Sequence, residues 1–253
     1  MLGVSVSRCV VISVFLGGLS IVSPAAAQTE ADGATPLHRA SYHDDLKTAD
    51  SLIRAGADVN AANDLGATPL WLASLNGSAP MVRRLLDAGA KPNLALMSGE
   101  TPVMVASRAG AAEVVQLLLA TGAHVNARGT RGQTALMWAV AQRHPAVVSV
   151  LLGHGADVHV KSDEWGQVMA VPPHGHAEYN RWIPHGRETA LLFAARAGDL
   201  DSARLLLAAG ANVHDADAWG VSAMVLAAHA GHRELVEFLL EKGADPSASA
   251  SGF

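Results

Sequence analysis

Three histidines lie close together in one stretch of the chain, and imidazole is a common ligand of transition metals. His174 and His176 are two residues apart, so in an extended segment their rings would lie on the same side, and His185 follows. With a carboxylate such as Asp163 or Glu178 they could form a Zn²⁺ or Cu²⁺ site. No H-E-x-x-H sequence and no cysteine pair accompanies them, so we predict polar and packing roles and no metal, with the metal site as the alternative.

The same stretch is rich in aromatic residues, and one further tryptophan follows on a later loop. Exposed Trp and Tyr side chains commonly anchor protein interfaces. We therefore predict a partner-binding set made of Trp165, His174, His176, Tyr179, Trp182, His185 and Trp219.

The remaining sequence carries no recognisable catalytic motif. It has no G-x-S-x-G elbow, no phosphate-binding P-loop and no dinucleotide-binding glycine pattern. The single cysteine, Cys9, lies in an N-terminal segment that we expect to be removed. We predict that the chain is not an enzyme and uses no cofactor.

Residues 1–27 have the features of a signal peptide. One basic residue, Arg8, precedes an apolar run over residues 10–22, and Pro24 then leads into Ala25 and Ala27 at signal-peptidase spacing. The run is too short to cross a bilayer, which takes roughly 20 residues. We predict an exported protein, periplasmic or secreted, with a short linker over residues 28–32.

The charge pattern argues against nucleic-acid and membrane partners. Removing the leader changes the net charge from −5 to −6, and the rest of the chain has no cluster of basic residues. No later apolar run reaches membrane-spanning length.

The segments that must hold the aromatic stretch repeat every 33 residues. A hydroxyl residue recurs at Thr35, Thr68, Thr101, Thr134, Thr189 and Ser222. A glycine recurs with the same intervals at Gly56, Gly89, Gly122, Gly155, Gly210 and Gly243. In both series one interval is longer by 22 residues, which indicates an insertion at about residues 165–186.

Within each repeat the residue types predict two short helices. The hydroxyl residue caps the first helix, often with proline next, and small residues let neighbouring helices approach closely. The first helix ends where glycine supplies a positive φ, a site taken by Asp44 and Arg143 in two repeats. We expect the arginine there to cost about 1 kcal/mol. A leucine pair marks the second helix, and a polar, turn-rich loop follows.

The stretch GATPLHRA…LIRAGADVNA resembles the ankyrin repeat, and the resemblance covers residues 33–252. It implies an all-α fold, an α-solenoid of about six helix pairs with hairpin-like loops, and a scaffold that binds a protein partner. The implied units are about 33–65, 66–98, 99–131, 132–164, 187–219 and 220–252. Only the first unit keeps the family histidine, His38; the second has Trp71 there.

The insertion is expected to be an ordered flap without regular structure, because prolines 172, 173 and 184 interrupt it. Trp219 is the expected floor beneath it. An alternative function follows from the same feature, namely a small-ligand or metal sensor in which the flap closes over the site.

Other aromatic and apolar residues are expected in the core or at the array's end. Trp138 and Phe193 are predicted to pack in the core, and Trp71 to be partly exposed. The last unit is core-like at Phe238, which predicts an apolar end, with self-association or further repeats.

Overall fold

The computed structural model describes residues 32–169 and 181–247, which form a stack of helix pairs. Each pair consists of a first helix and an antiparallel second helix. The first helices are α1 Pro36–Tyr42, α3 Pro69–Leu75, α5 Pro102–Arg108, α7 Ala135–Ala141, α9 Ala190–Ala197 and α11 Ala223–His229. The second helices are α2 Leu46–Arg54, α4 Ala79–Asp87, α6 Ala112–Ala120, α8 Pro145–Gly153, α10 Leu200–Ala208 and α12 Arg233–Glu241. The predicted helical solenoid is confirmed.

Every first helix begins at the predicted hydroxyl residue, in extended conformation. In four helices its oxygen accepts a hydrogen bond from the backbone N–H three residues later, as Thr68 does from Trp71 at 3.2 Å. The hydroxyls of Thr101 and Thr189 are buried and have no hydrogen-bond partner in the described part of the chain. Those two caps therefore set the backbone direction without the usual hydrogen bond.

The turn between the helices of a pair requires a left-handed residue. Gly77, Gly110 and Gly231 have φ values of +68°, +75° and +79° at this site. Asp44 and Arg143 adopt the same conformation, with φ of +55° and +60°. The prediction for these two non-glycine residues is confirmed.

First helices pack on first helices and second helices on second helices, with the apolar core between the two layers. Small residues on the first helices allow the close approach, and all are buried: Ala40, Ala73, Ala106, Ala139, Ala194 and Ala227. Since each pair leaves an apolar face that only its neighbours cover, stacking supplies the stability of the array.

Successive repeats are joined by an asparagine in the loop that follows each of three second helices. Asn60 donates to the carbonyl of Gly89 at 3.1 Å and accepts from the N–H of Lys91 at 2.8 Å. Asn93 and Asn126 repeat both bonds one and two units later. Sequence reasoning missed this feature, although its 33-residue spacing was visible.

The insertion forms a two-stranded antiparallel ribbon, β1 Trp165–Met169 paired with β2 Arg181–His185. The expectation that prolines exclude regular structure is therefore wrong for Pro184, which lies in β2 opposite Gly166. Both strands of a two-stranded ribbon are edges, so a missing N–H that points away from the partner strand is tolerated.

The two ends of the insertion meet beside Trp165 and His185, at what we call the foot of the ribbon, and hydrogen bonds close this end. Ser162 donates its N–H to the carbonyl of Glu188 at 3.0 Å, and accepts from the N–H of Arg187 at 3.2 Å. Gly186, at φ +93°, lies so close to Asp163 that an added Cβ would be 2.0 Å from its carbonyl oxygen. Because the ends of the insertion meet, α9 packs on α7 as α7 packs on α5.

One further expectation is corrected. Trp71 is only 9% exposed, because its ring packs with Ala67 and Val105. In the last described helix Phe238 is 7% exposed, and Arg204 of the preceding repeat lies 4.8 Å from its ring. Leu240 on the same helix is 40% exposed, so the apolar end and its self-association stay a prediction.

Among the described residues, no helix has the length and apolar character needed to cross a membrane.

Candidate binding surface

The loops between repeats form one continuous edge of the molecule. The N–H of Asp64 donates to the carbonyl of Asp32, and that of Met97 to Leu65, both at 3.0 Å. The ribbon takes part in the same series. At its first end, the N–H of Asp163 donates to the carbonyl of Arg131 in the preceding loop at 2.8 Å. At its second end, the carbonyl of Gly186 accepts from the N–H of Ala218 in the next loop at 3.0 Å. The insertion thus enlarges one loop without interrupting the series.

Trp165 lies between two polar side chains at the foot of the ribbon. Its indole stacks on the His185 ring, with centroids 4.4 Å apart and planes 21° from parallel. The guanidinium of Arg131 lies 4.5 Å from the indole centroid, a cation–π contact. Arg131 is held there by a left-handed backbone, φ +57°, at the loop tip.

Trp182 covers a glycine across the ribbon. A Cβ on Gly166 would come within 1.8 Å of the indole, so the ring lies against the bare backbone of β1. An aromatic ring over a cross-strand glycine fixes strand register. The indole is nevertheless 66% exposed, and Val168 beside it is also exposed.

The predicted set is only partly brought together. Trp165 and His185 are in contact, and Trp182 lies on the same ribbon. Trp219 is half-buried at the next loop tip, where its backbone N–H donates to the carboxylate of Asp217 at 2.8 Å. His174, His176 and Tyr179 lie outside the described residues, so their predicted roles stay predictions. Among the described residues, no group of three His, Cys, Asp or Glu could hold a metal ion.

A polar cavity of about 260 Å³ lies beneath the foot of the ribbon. Its walls include Arg131, Trp165, His185 and Glu188, and Phe193 of α9 also lines it. The predicted place of Trp219 as the floor beneath the insertion depends in part on residues outside the described ranges, so it stays a prediction.

A second cavity of about 260 Å³ continues from the first along α7. The two share Gln133 and Phe193. Trp138 lines the second cavity; its indole N–H donates to Gln133 at 3.0 Å, and Arg108 lies 5.0 Å from its ring. Trp138 and Phe193 pack against the apolar core, as predicted, and they also line these cavities, which leaves both side chains half-buried. We call the two joined cavities the α7 trough.

Exposed apolar residues at other loop tips were missed by sequence reasoning. Leu65 is 68% and Met97 83% exposed, each at a tip ahead of a positive-φ glycine. Trp219 precedes Gly220 in the same way. Leu65 lies one residue and Met97 two residues before its loop glycine, so treating both positions as loop tips could have found them.

Charge is distributed unevenly between the two helix layers. The six first helices contain no Asp or Glu, and their charged residues are Arg39, Arg108 and Arg196. The second helices carry charges of both signs, although the whole chain is acidic at −5. The first-helix face is thus locally basic in an acidic protein.

Comparison with known proteins agrees with this architecture. A family model for ankyrin repeats matches residues 12–96, 93–162 and 174–250. The first match begins inside the predicted signal peptide, which stays a prediction. A comparison with curated proteins gave no match.

Ankyrin repeats generally serve as scaffolds that bind other proteins. The matched residues make up most of the sequence, and the described helix pairs follow the same 33-residue period. This chain belongs to the ankyrin repeat family.

Proposed function

We propose that this protein is exported and binds a protein partner through its loop tips, the ribbon and the first-helix face. The observation that carries the proposal is the row of exposed apolar side chains along the loop edge. Leu65, Met97 and Trp182 are each more than half exposed and lie on loops linked by successive hydrogen bonds. Exposed aromatic and Met side chains on an ordered surface are typical of interfaces.

The described part of this surface is held in place by contacts within the protein. The ribbon is closed at its foot, its aromatic rings are stacked, and the loops are joined to one another. Little conformational entropy is then lost on docking, which favours tight binding from a modest area. His185 joins this surface through its stack on Trp165, and we propose His174, His176 and Tyr179 as further contacts of the same segment.

Affinity capture with a matched pair of proteins tests the binding function. In one protein the ribbon is intact; in the other, residues 168–182 are replaced by Asn-Gly, a turn that suits the retained pair Gln167 and Ile183. We expect the intact protein to capture a partner from the exported fraction and the trimmed protein to lose it. Equal capture by both would contradict a role for the ribbon, and no specific capture by either would contradict the function.

Export rests on residues 1–27 and has its own test. N-terminal sequencing of the protein from fractionated cells is expected to begin at Gln28, in the exported fraction. A chain that retains Met1 or its leader in the cytoplasm would contradict export without affecting the binding proposal.

The alternative function, a small-ligand sensor, is favoured by the cavity beneath the ribbon. Its volume of about 260 Å³ lies just below the roughly 300–1,000 Å³ typical of small-molecule sites. Because that cavity opens into the second one along α7, the shape suits an extended chain better than an enclosed small molecule. Protein recognition is therefore the better-supported function.

A further inference from the structure

We infer that the α7 trough binds an acidic, extended peptide segment of the protein partner, with carboxylates on Arg131 and Arg108 and an apolar side chain between them. The inference rests on the proposed function and names the chemistry that the partner must present.

The first support is that the guanidinium groups of the two arginines lie on aromatic rings and are not paired with a carboxylate among the described residues. Each guanidinium lies over a tryptophan, Arg131 on Trp165 and Arg108 on Trp138. Neither makes a salt bridge or a side-chain hydrogen bond with any residue in the described ranges. A guanidinium held flat on an aromatic ring keeps its N–H edges free for a carboxylate, which it can bind with two parallel hydrogen bonds.

The second support is that the carboxylates of the trough are already paired. Asp163 is bound by Arg128 at 2.7 Å, and Glu188 is bound by Arg196. Arg131 and Arg108 therefore contribute positive charge that these carboxylates do not neutralise. The first helices contain no Asp or Glu, so they add no further carboxylate that could neutralise the two arginines.

The third support is the spacing of the site. Arg131 precedes α7 at the loop tip, and Arg108 ends the neighbouring helix α5, beside the middle of α7. From Thr134 to Trp138 the helix rises about 6 Å, at roughly 1.5 Å per residue, and the three steps from Arg131 to Thr134 add at most about 10 Å. An extended peptide advances about 3.3 Å per residue, so acidic residues roughly three to four positions apart would reach both arginines.

The apolar part of the trough explains why a peptide fits better than a free acid. Trp138 and Phe193 are half-buried and line the trough together with Gln133, which accepts a hydrogen bond from the Trp138 indole. A small dicarboxylic acid would leave these rings in water, whereas an apolar side chain between two acidic ones would cover them.

The probe for the test is a displayed library of random peptides of about nine residues, selected on the purified mature chain at low salt. We expect selected peptides to carry two Asp or Glu residues about three to four positions apart with an apolar residue between them. Replacing those acids by their amides should weaken binding at least about tenfold, since charge-assisted hydrogen bonds are lost.

The matched protein variants are the double substitution Arg108→Gln with Arg131→Gln, and Arg204→Gln as the control. Arg204 also lies over an aromatic ring, Phe238, but on the second-helix layer. All three arginines are exposed, so the variants are expected to fold, which circular dichroism checks. The double variant should lose the preference for acid over amide, and the control should keep it.

The outcomes separate this inference from the binding function. Selected peptides without acidic residues, an unchanged preference in the double variant, or no selected peptide would each overturn the inference, while partner capture could still succeed. Displacement of peptide by free succinate at equal concentration would also overturn it, in favour of a small-acid site.

Discussion

The indole N–H of Trp71 donates a hydrogen bond to the backbone carbonyl of Glu100 at 3.2 Å. One repeat earlier, His38 makes the equivalent bond to the carbonyl of Ala67 at 2.9 Å. Donor and acceptor are both displaced by 33 residues, so a tryptophan performs the bridging role of the family histidine. This role explains why Trp71 is buried although it departs from the family sequence.

Trp71→Phe should lower the free energy of unfolding by about 1–3 kcal/mol, because the Glu100 carbonyl loses its donor and the smaller ring leaves part of the site unfilled. Urea unfolding followed by circular dichroism measures the change. The control is Met104→Leu, at the same position one repeat later, which should cost less than about 1.5 kcal/mol. Equal, small losses for both would show that the Trp71 hydrogen bond contributes nothing.

A pair of threonine substitutions tests whether the cap hydrogen bond or the cap conformation stabilises the first helices. Thr68→Val removes an oxygen that accepts from Trp71, so we expect a loss of about 0.5–2 kcal/mol. Thr101→Val removes a buried hydroxyl without a described partner, so we expect no loss or a small gain. Similar losses at both sites would mean that the hydroxyl at Thr101 has a partner in solution.

The left-handed turns offer a stabilising substitution. Arg143→Gly should raise the free energy of unfolding by up to about 1 kcal/mol, because the φ of +60° then carries no Cβ penalty. The opposite change at an equivalent site, Gly231→Ala, should lower it by about 1 kcal/mol. An added Cβ at Gly231 meets nothing within 4 Å, so the backbone conformation alone is responsible. Thermal unfolding of both variants checks the opposite signs.

Repeating features of the fold could be predicted from sequence because each depends on a local rule that recurs. The caps at Thr68 and Thr134 and the left-handed Asp44 and Arg143 follow from residue type and spacing alone. The environment of Trp71 could not be predicted in the same way, because its acceptor lies in another repeat.

The insertion was harder to predict for a related reason. Its strands pair across the intervening residues 170–180, and their register is held by Trp182, which covers Gly166. Periodicity carries no information about a segment that occurs once. The cations on Trp165 and Trp138 likewise come from other loops and helices, so the α7 trough is visible only in the assembled structure.

The first repeat should lose stability as the pH falls. Burial lowers the pKa of His38 below its ordinary value of 6.5, although its hydrogen bond to Ala67 and the charge of Asp32 oppose the shift. Below pH 6.5 the unfolded chain therefore binds a proton that folded His38 resists, and unfolding becomes easier. Hydrogen exchange of α1 amides at pH 7.5 and 5 should show the loss of protection. In His38→Gln this difference should shrink, and an unchanged difference would assign it to other groups.

Gly166→Ala should disturb the ribbon without weakening the repeat array. An added Cβ would overlap the Trp182 indole at 1.8 Å, so the ring must move off β1 and expose its covered face. The chain has five tryptophans, whose indole N–H signals in a ¹⁵N spectrum report on separate parts of the molecule. The signals of Trp182 and Trp165 should shift, while those of the buried Trp71 and of Trp138 stay in place.

Gly153→Ala is the matched control, since its Cβ meets nothing within 4 Å and alanine favours the helix. If the ribbon is the contact surface, Gly166→Ala should also weaken partner capture while the unfolding midpoint changes little. Unshifted ribbon signals would mean that Trp182 does not rest on Gly166 in solution.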